Sequence, residues 1–281
     1  MKILISSYTG IGNFILKTPM ISTIRDKYPS AEIDIITANG LGIELILKKN
    51  DMINDVIILN KKDSLIKKIL FFIRLRKSEY DLVLLPFDSQ PIFLIFGSYI
   101  SNIKKRIIHL LMHDKKKTIF SVLMPWTLCV QALPNRHEID LNYDLFECYL
   151  NTPVERKYQT FVNIEKDVSV LTRFRLEQYK YIILQVGAAN GAKSAKKWGI
   201  ENFKDLIGKI NTNYEDYQVI LVGDVGDYQN DIKLLEGLGL GFINTAGLTS
   251  INEVINLLQF SKLVVSHDSG IMHIANSLNC N

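Results

Sequence analysis

The sequence predicts an α/β chain built of two doubly wound units, each around a parallel sheet. Three observations carry this. Short β-type runs alternate with amphipathic helical runs along most of the 281 residues, the pattern of βαβ units. The alternation lapses between about residues 115 and 166 and then restarts. Glycine-bearing turns follow several of the predicted strands, and right-handed crossovers make a doubly wound sheet the simplest product.

The elements follow in order. Residues 2–6 (KILIS) predict the first strand, with a turn-rich segment over 7–12. Residues 13–28 have helical periodicity through Phe14, Ile15, Met20, Ile21 and Ile24. Pro19 within that run imposes a kink or a later helix start. Strands are expected at 31–37, 55–59, 81–85 and 106–110, and helices at 42–50, 64–77 and 91–100. A helix over 140–150 and a connector over 151–168 close the first series. The second series has strands at 181–186, 219–222, 242–244 and 263–266. Its helices span 200–211, 227–238, 251–259 and a final run from Ser269. The domains expected are therefore residues 1–155 and 165–281. The last helix reaches Asn281 with no closing strand, so the second domain is expected to be truncated.

Composition excludes some classes. Hydrophobic residues make up 47% and charged residues 22%, ordinary for a globular chain. The net charge of +4 is uneven: residues 1–150 carry 20 Lys+Arg against 15 Asp+Glu, the remainder 13 against 14. The excess sits in clusters such as Lys61-Lys62, Lys67-Lys68, Arg74–Lys77, Lys104–Arg106 and Lys115–Lys117. Such clusters either solvate a helical surface or attract an anionic membrane or acceptor, each basic residue near such a surface contributing roughly 1 kcal/mol. No nucleic-acid-binding motif accompanies them. Cys129, Cys148 and Cys280 are odd in number and form no CxxC, which fits a reducing compartment and argues against a disulfide framework or zinc site. The most apolar stretches, 92–100 and 119–133, fall short of the roughly 20 residues a spanning helix needs. The expected location is cytoplasmic, with any membrane contact peripheral.

Four turns are candidates for chemistry. Ser6–Asn13 (SSYTGIGN) follows the first strand, where Gly10 and Gly12 allow close backbone approach. Gly187–Trp198 (GAANGAKSAKKW) is a small-residue loop whose Lys193, Lys196 and Lys197 can pair with phosphate. In Val222–Asp227 (VGDVGD), Gly223 leaves room for a ligand and an acidic residue can accept from a ribose. Each of these three is as compatible with a plain turn as with a site. The fourth, Val264–His273 (VVSHDSGIMH), is strongest. Asp268 or Ser269 can cap the following helix, and the amides behind the cap, with the helix dipole, form an anion site. Ser269 adds a hydroxyl, Gly270 clears the approach, and His273 lies about one turn in. An Asp-Ser-Gly cap with a packed histidine is the plain alternative.

Together these stretches resemble glycosyltransferase family 9, the heptosyltransferase-like enzymes of bacterial lipopolysaccharide assembly. The likeness covers nearly the whole chain. It rests on Gly10-Ile11-Gly12-Asn13, Thr18-Pro19 and Arg25–Asp34 (RDKYPSAEID) at the start. It continues through Tyr80–Val83, His137-Glu138 and Gly187-Ala188 with Lys196-Lys197-Trp198. It closes on Ala246–Ser250 (AGLTS) followed by Val264–His273.

The resemblance implies a GT-B fold, two Rossmann-like domains with the acceptor on the N-terminal side and a nucleotide-sugar on the C-terminal side. It implies inverting transfer of a heptose-like sugar from a nucleotide-diphosphate donor of the ADP-heptose type to a lipopolysaccharide core or related glycan. Asp268, Ser269, Gly270 and His273 would hold the diphosphate, Gly187 and Lys196 would contact the donor, and Asp227 would help recognise it. Gly10 and Gly12 would form the acceptor-side loop. No cofactor and no metal is implied, the nucleotide-sugar being a substrate. The family's base is an aspartate at the position of Asn13, and an amide cannot take a proton near neutral pH. Asn13 can still orient an acceptor hydroxyl; either another group supplies the base, the acceptor differs, or the chain is an impaired, non-catalytic module that holds glycan or nucleotide without turnover. An NAD-dependent oxidoreductase is disfavoured by the missing GxGxxG.

Overall fold

Residues 1–40, 42–47, 51–110, 127–187 and 196–281 are described by a computed structural model of the chain. The chain divides into two compact units, Met1–Phe161 and Val162–Asn281.

The first unit is a six-stranded parallel sheet of β1 (Lys2–Ser7), β2 (Glu32–Thr37), β3 (Asp55–Ile58), β4 (Leu82–Leu85), β5 (Lys105–Leu110) and β6 (Thr127–Gln131). The strand order is β3-β2-β1-β4-β5-β6. Every neighbouring pair is parallel. Central β1 and β4 are buried nearly throughout, which is why they read as continuous apolar runs and not as alternating ones. The helices are α1 (Ile11–Ile15), α2 (Thr18–Lys27), α3 (Ile43–Ile46), α4 (Leu65–Leu75), α5 (Ile92–Ile100) and α6 (Glu138–Leu150).

The helix expected over 13–28 is two helices, and Pro19 sits in the first turn of α2, where a missing N–H costs little. The helix expected over 42–50 is described only as α3, residues 48–50 lying outside the described residues. Strand β6 falls in the stretch where no period was legible. It is five residues long with polar ends (TLCVQ), too short to show alternation. The connector after α6 is tied back by Arg156, which pairs with Asp140, Asp144 and Glu147.

The second unit is a four-stranded parallel sheet of β7 (Tyr181–Gln185), β8 (Gln218–Val222), β9 (Ile243–Asn244) and β10 (Leu263–Val265), in the order β10-β7-β8-β9. Its helices are α7 (Ser169–Phe174), not anticipated from the sequence, α8 (Ile200–Asn213), a composite α9, α10 (Ile251–Gln259) and α11 (Gly270–Ser277). Helix α9 runs through Val225–Asp227, a π-turn Tyr228–Ile232 and Lys233–Glu236. Capping boxes start α9 (Asp224 with Asp227) and α10 (Ser250 with Glu253).

The two sheets share one feature that positions the sites. In each, the first strand lies between the second and the fourth: β1 between β2 and β4, β7 between β8 and β10. The chain leaves the first strand in one direction and later returns on its other side. Such a switch point opens a crevice at the carboxyl ends of the two strands, the usual ligand position of open α/β sheets.

Candidate functional site

In the N-terminal unit the loops after β1 and β4 meet in a buried polar cluster. Lys17, between α1 and α2, places its Nζ 2.6 Å from Asp88 Oδ2. Their side chains are only 1% and 6% exposed. The same Asp88 oxygen accepts from Thr9 Oγ1 at 2.7 Å and Ser89 Oγ at 2.9 Å. Ser89 Oγ in turn accepts from the Tyr8 amide at 2.9 Å, and Ser6 Oγ donates to the Ser89 carbonyl. Burial alone would raise the Asp88 pKa, but the Lys17 charge and these donors hold it below the ordinary carboxylate value. His109, at the end of β5, accepts from the Phe87 amide through Nδ1 at 3.1 Å. Burial pushes its pKa down to about 4, so it is neutral near pH 7.

Asn13 borders this cluster. Its Nδ2 donates to Glu138 Oε2 at 3.3 Å, and its backbone carbonyl accepts from Lys17 Nζ at 3.1 Å. Glu138 opens α6, capped by His137, whose Nδ1 accepts from the Ile139 amide. Burial, with the nearby Asp88 charge, raises the Glu138 pKa above the ordinary value. Gly10 and Gly12 flank the start of α1, Gly12 buried and Gly10 in an extended conformation with open space around it.

In the C-terminal unit the loops after β7 and β10 meet at the second switch point. His267 bridges them. The Trp198 amide donates to its Nε2 at 2.9 Å, so Nδ1 carries the proton and donates to the Gly187 carbonyl, also 2.9 Å away. Ser269 takes the N-cap position of α11, yet its side chain makes no capping bond. Its hydroxyl donates to Gln185 Oε1 on β7 at 2.6 Å. Asp268 is exposed and pairs with Lys196. The Lys196 hydrogen bond lowers the Asp268 pKa, and His273 adds to the same direction. The Ser269 side chain thus leaves the first amides of α11 uncapped, with Lys196, Asp268, Gly270 and His273 gathered around the helix start.

Asp227, in the first turn of α9, takes part in the capping box of that helix and packs its carboxylate against Gly187 of the loop after β7. Its amide donates to Asp224 Oδ1 at 2.8 Å, and its carboxylate accepts from the Asp224 amide at 3.1 Å. A Cβ on Gly187 would fall 1.8 Å from Asp227 Oδ1, and one on Gly223 would meet the Asp227 side chain at 2.8 Å. The space these glycines leave open is filled by Asp227 itself. Burial raises the Asp227 pKa. Lys197 is paired with Asp231, and Lys193 lies outside the described residues. Sequence reasoning singled out the loops after β1, β7 and β10 but not the one after β4, and gave no role to Lys17, Asp88, Ser89, Gln185 or His267. Among the described residues no cluster of three or more His, Cys, Asp or Glu is placed to hold a metal ion.

Comparison with known proteins shows the family. Residues 71–280 match glycosyltransferase family 9 (heptosyltransferase). The chain is 24% identical over 281 residues to lipopolysaccharide heptosyltransferase 3 of Escherichia coli, covering 94% of this chain and 76% of that one. It is 24% identical over 298 residues to lipooligosaccharide heptosyltransferase 2 of Haemophilus influenzae, covering 99% and 81%. Among solved structures, E. coli ADP-heptose lipopolysaccharide heptosyltransferase II superposes with a TM-score of 0.78 at 21% identity, over 100% of this chain and 83% of that one. A glycosyl transferase of family 9 from Veillonella parvula gives 0.81 at 16% identity, over 99% and 78%. The two parallel-sheet units are those of the GT-B fold, and with the family match over most of its length the chain belongs to glycosyltransferase family 9 and is a glycosyltransferase.

Proposed function

We propose that the chain transfers a heptose from ADP-heptose to a lipopolysaccharide core or related glycan with inversion at the anomeric carbon. The observation that carries this is the start of α11: helix amides that the Ser269 side chain leaves uncapped, beside Lys196 and at the sheet's switch point. Free amides and the helix dipole stabilise an anion. Lys196, whose present partner is an exposed carboxylate, exchanges that weak surface pair for a diphosphate. Fixed donors aimed at the diphosphate matter most as the anomeric bond breaks and charge grows on the leaving group. His267 and Ser269 hold the two loops in register through their bonds to Trp198, Gly187 and Gln185. Calorimetric titration tests this. ADP-heptose is expected to bind saturably, and absence of binding by ADP-heptose and ADP alike would refute it.

We further propose that the N-terminal unit rests on an anionic membrane through α4 and α5. Leu65 and Ile66 are 67% and 70% exposed, and Leu70, Ile73, Ile92 and Phe96 are exposed as well. Between the helices runs an apolar groove that includes Ile69, Phe72 and Phe93. Lys68 Nζ lies 4.5 Å from the Phe93 ring centroid, and Arg76, Lys104 and Lys105 line the adjoining pocket. An exposed apolar patch rimmed by basic side chains is suited to an interface with anionic headgroups. Among the described residues no helix is long and apolar enough to cross a membrane.

A further inference from the structure

Transfer of a sugar onto a hydroxyl needs a group that takes the hydroxyl proton. The first switch point offers few. Asn13 is an amide and has no useful basicity. Asp88 is buried against Lys17 and shares its one bonded oxygen with Thr9 and Ser89. His109 is buried behind that pair, with one ring nitrogen already accepting from the Phe87 amide. His137 spends its Nδ1 on capping α6. Glu138 differs from all four. It is half-buried, and among the described residues its carboxylate accepts one hydrogen bond, from Asn13.

We infer that Glu138 is the catalytic base of this transferase and that Asn13 is its positioning residue, holding the carboxylate through the Nδ2–Oε2 bond at the carboxyl edge of the sheet. The inference rests on the transferase reading proposed above. In the step, one Glu138 oxygen takes the proton of the acceptor hydroxyl. The freed oxygen pair forms the bond to the anomeric carbon. The bond from that carbon to the diphosphate oxygen breaks, and its electron pair leaves with the nucleoside diphosphate. The products are the glycoside, the diphosphate and protonated Glu138, so atoms and charge balance. The placement also suits the proton transfer. The Glu138 carboxylate faces Asn13, Lys17 and Asp88 from the neighbouring elements, with His137 on its own helix start. Burial and the Asp88 charge oppose Lys17 and leave it more basic than an ordinary glutamate, which favours a base working near neutral pH.

The test compares wild type, Glu138→Gln, Glu138→Asp and the double variant Glu138→Gln/Asn13→Asp. ADP-heptose and lipopolysaccharide from a core-truncated strain are the substrates. Loss of a general base costs about 100- to 10,000-fold in kcat. Glu138→Gln is expected to lose that much while its calorimetric affinity for ADP-heptose stays at the wild-type value. It should also lose the acidic limb of the pH–rate profile. Glu138→Asp keeps a carboxylate and should retain that limb at reduced kcat. Asn13→Asp in the Gln background should recover about tenfold or more of the loss, because it returns a carboxylate to the neighbouring position. A Glu138→Gln enzyme with wild-type kcat and pH profile would overturn the assignment and leave the transferase reading standing. A wild type that neither binds nor consumes ADP-heptose would overturn both.

Discussion

Asn13 Nδ2 lies 3.3 Å from Glu138 Oε2, a hydrogen bond that joins residues 125 positions apart. It couples the first strand-to-helix turn of the chain to the last helix of the N-terminal unit. An aspartate at position 13 would place two carboxylates in contact and force them to share a proton. The amide instead donates, and the negative charge of this corner rests on Glu138 alone, beside the Lys17–Asp88 pair.

That ion pair predicts a stability phenotype. Removing one partner of a buried pair leaves the other charge uncompensated, at a cost of about 3–5 kcal/mol. Lys17→Met is therefore expected to destabilise the N-terminal unit by about that amount, measured by urea unfolding. The pH dependence has a definite sign. Asp88 has a folded pKa below its unfolded value. Its contribution is present above the unfolded carboxylate pKa and is lost as pH falls through the folded one. Wild type should lose stability on acidification through the carboxylate range, and Lys17→Met should lose less over the same range. Equal pH slopes in the two proteins would contradict the pairing.

Gly187 and Asp227 predict a coupled pair of substitutions. A methyl at 187 would collide with the Asp227 carboxylate and push it out of the capping box of α9. Gly187→Ala is expected to cost about 1–3 kcal/mol, as overpacking does. Asp227→Ala alone should cost about 0.5–2 kcal/mol through the lost cap. The double variant should cost clearly less than the sum, because the methyl then has room. Additive costs would show that Asp227 is not what fills the space above Gly187.

The exposed face of α4 and α5 predicts membrane binding that depends on both apolar and basic groups. In flotation assays with phosphatidylglycerol-containing vesicles the wild type should bind, and Ile66→Asp with Phe96→Asp should release it. Raising salt to about 1 M, where the Debye length is about 3 Å, should weaken wild-type binding. Equal binding by wild type and the double variant, or equal binding to purely zwitterionic vesicles, would contradict this face as the contact.

Much of this was legible in the sequence, for physical reasons that differ by element. The central strands announced themselves because a parallel sheet buried on both faces reads as an apolar run, as in Leu82–Leu85. The turn ending in Asp268-Ser269-Gly270 was legible because cap residues are restricted by backbone geometry. Its detailed use was not: Ser269 occupies the cap position but bonds Gln185 across the sheet, a contact set by the β7–β10 pairing and invisible to local spacing. Strand β6 and helix α7 were too short to show a period. The cluster of Lys17, Asp88 and Glu138 was hidden because its members are far apart in sequence and gathered only by the strand order β1-β4-β5. The one available signal was charge out of place: Lys17 lies at the apolar junction of two helices, and Asp88 follows a fully apolar strand.

The C-terminal site predicts a separation of binding from stability. Lys196 and Asp268 are both exposed, and such a pair contributes little to folding. Lys196→Ala should leave Tm essentially unchanged. It should weaken ADP-heptose binding about 10- to 100-fold, the value of one hydrogen bond to a charged group. Unchanged affinity would remove Lys196 from the donor site.

The most direct test of the account is a transfer reaction read by mass spectrometry. The protein is incubated with ADP-heptose and lipopolysaccharide from a core-truncated strain. The account predicts an acceptor heavier by one heptose, one ADP released for each sugar transferred, and an inverted anomeric configuration in the product. Saturable ADP-heptose binding with no gain in acceptor mass across a panel of core-truncated acceptors would contradict it, and would describe a protein that holds the donor without turning it over.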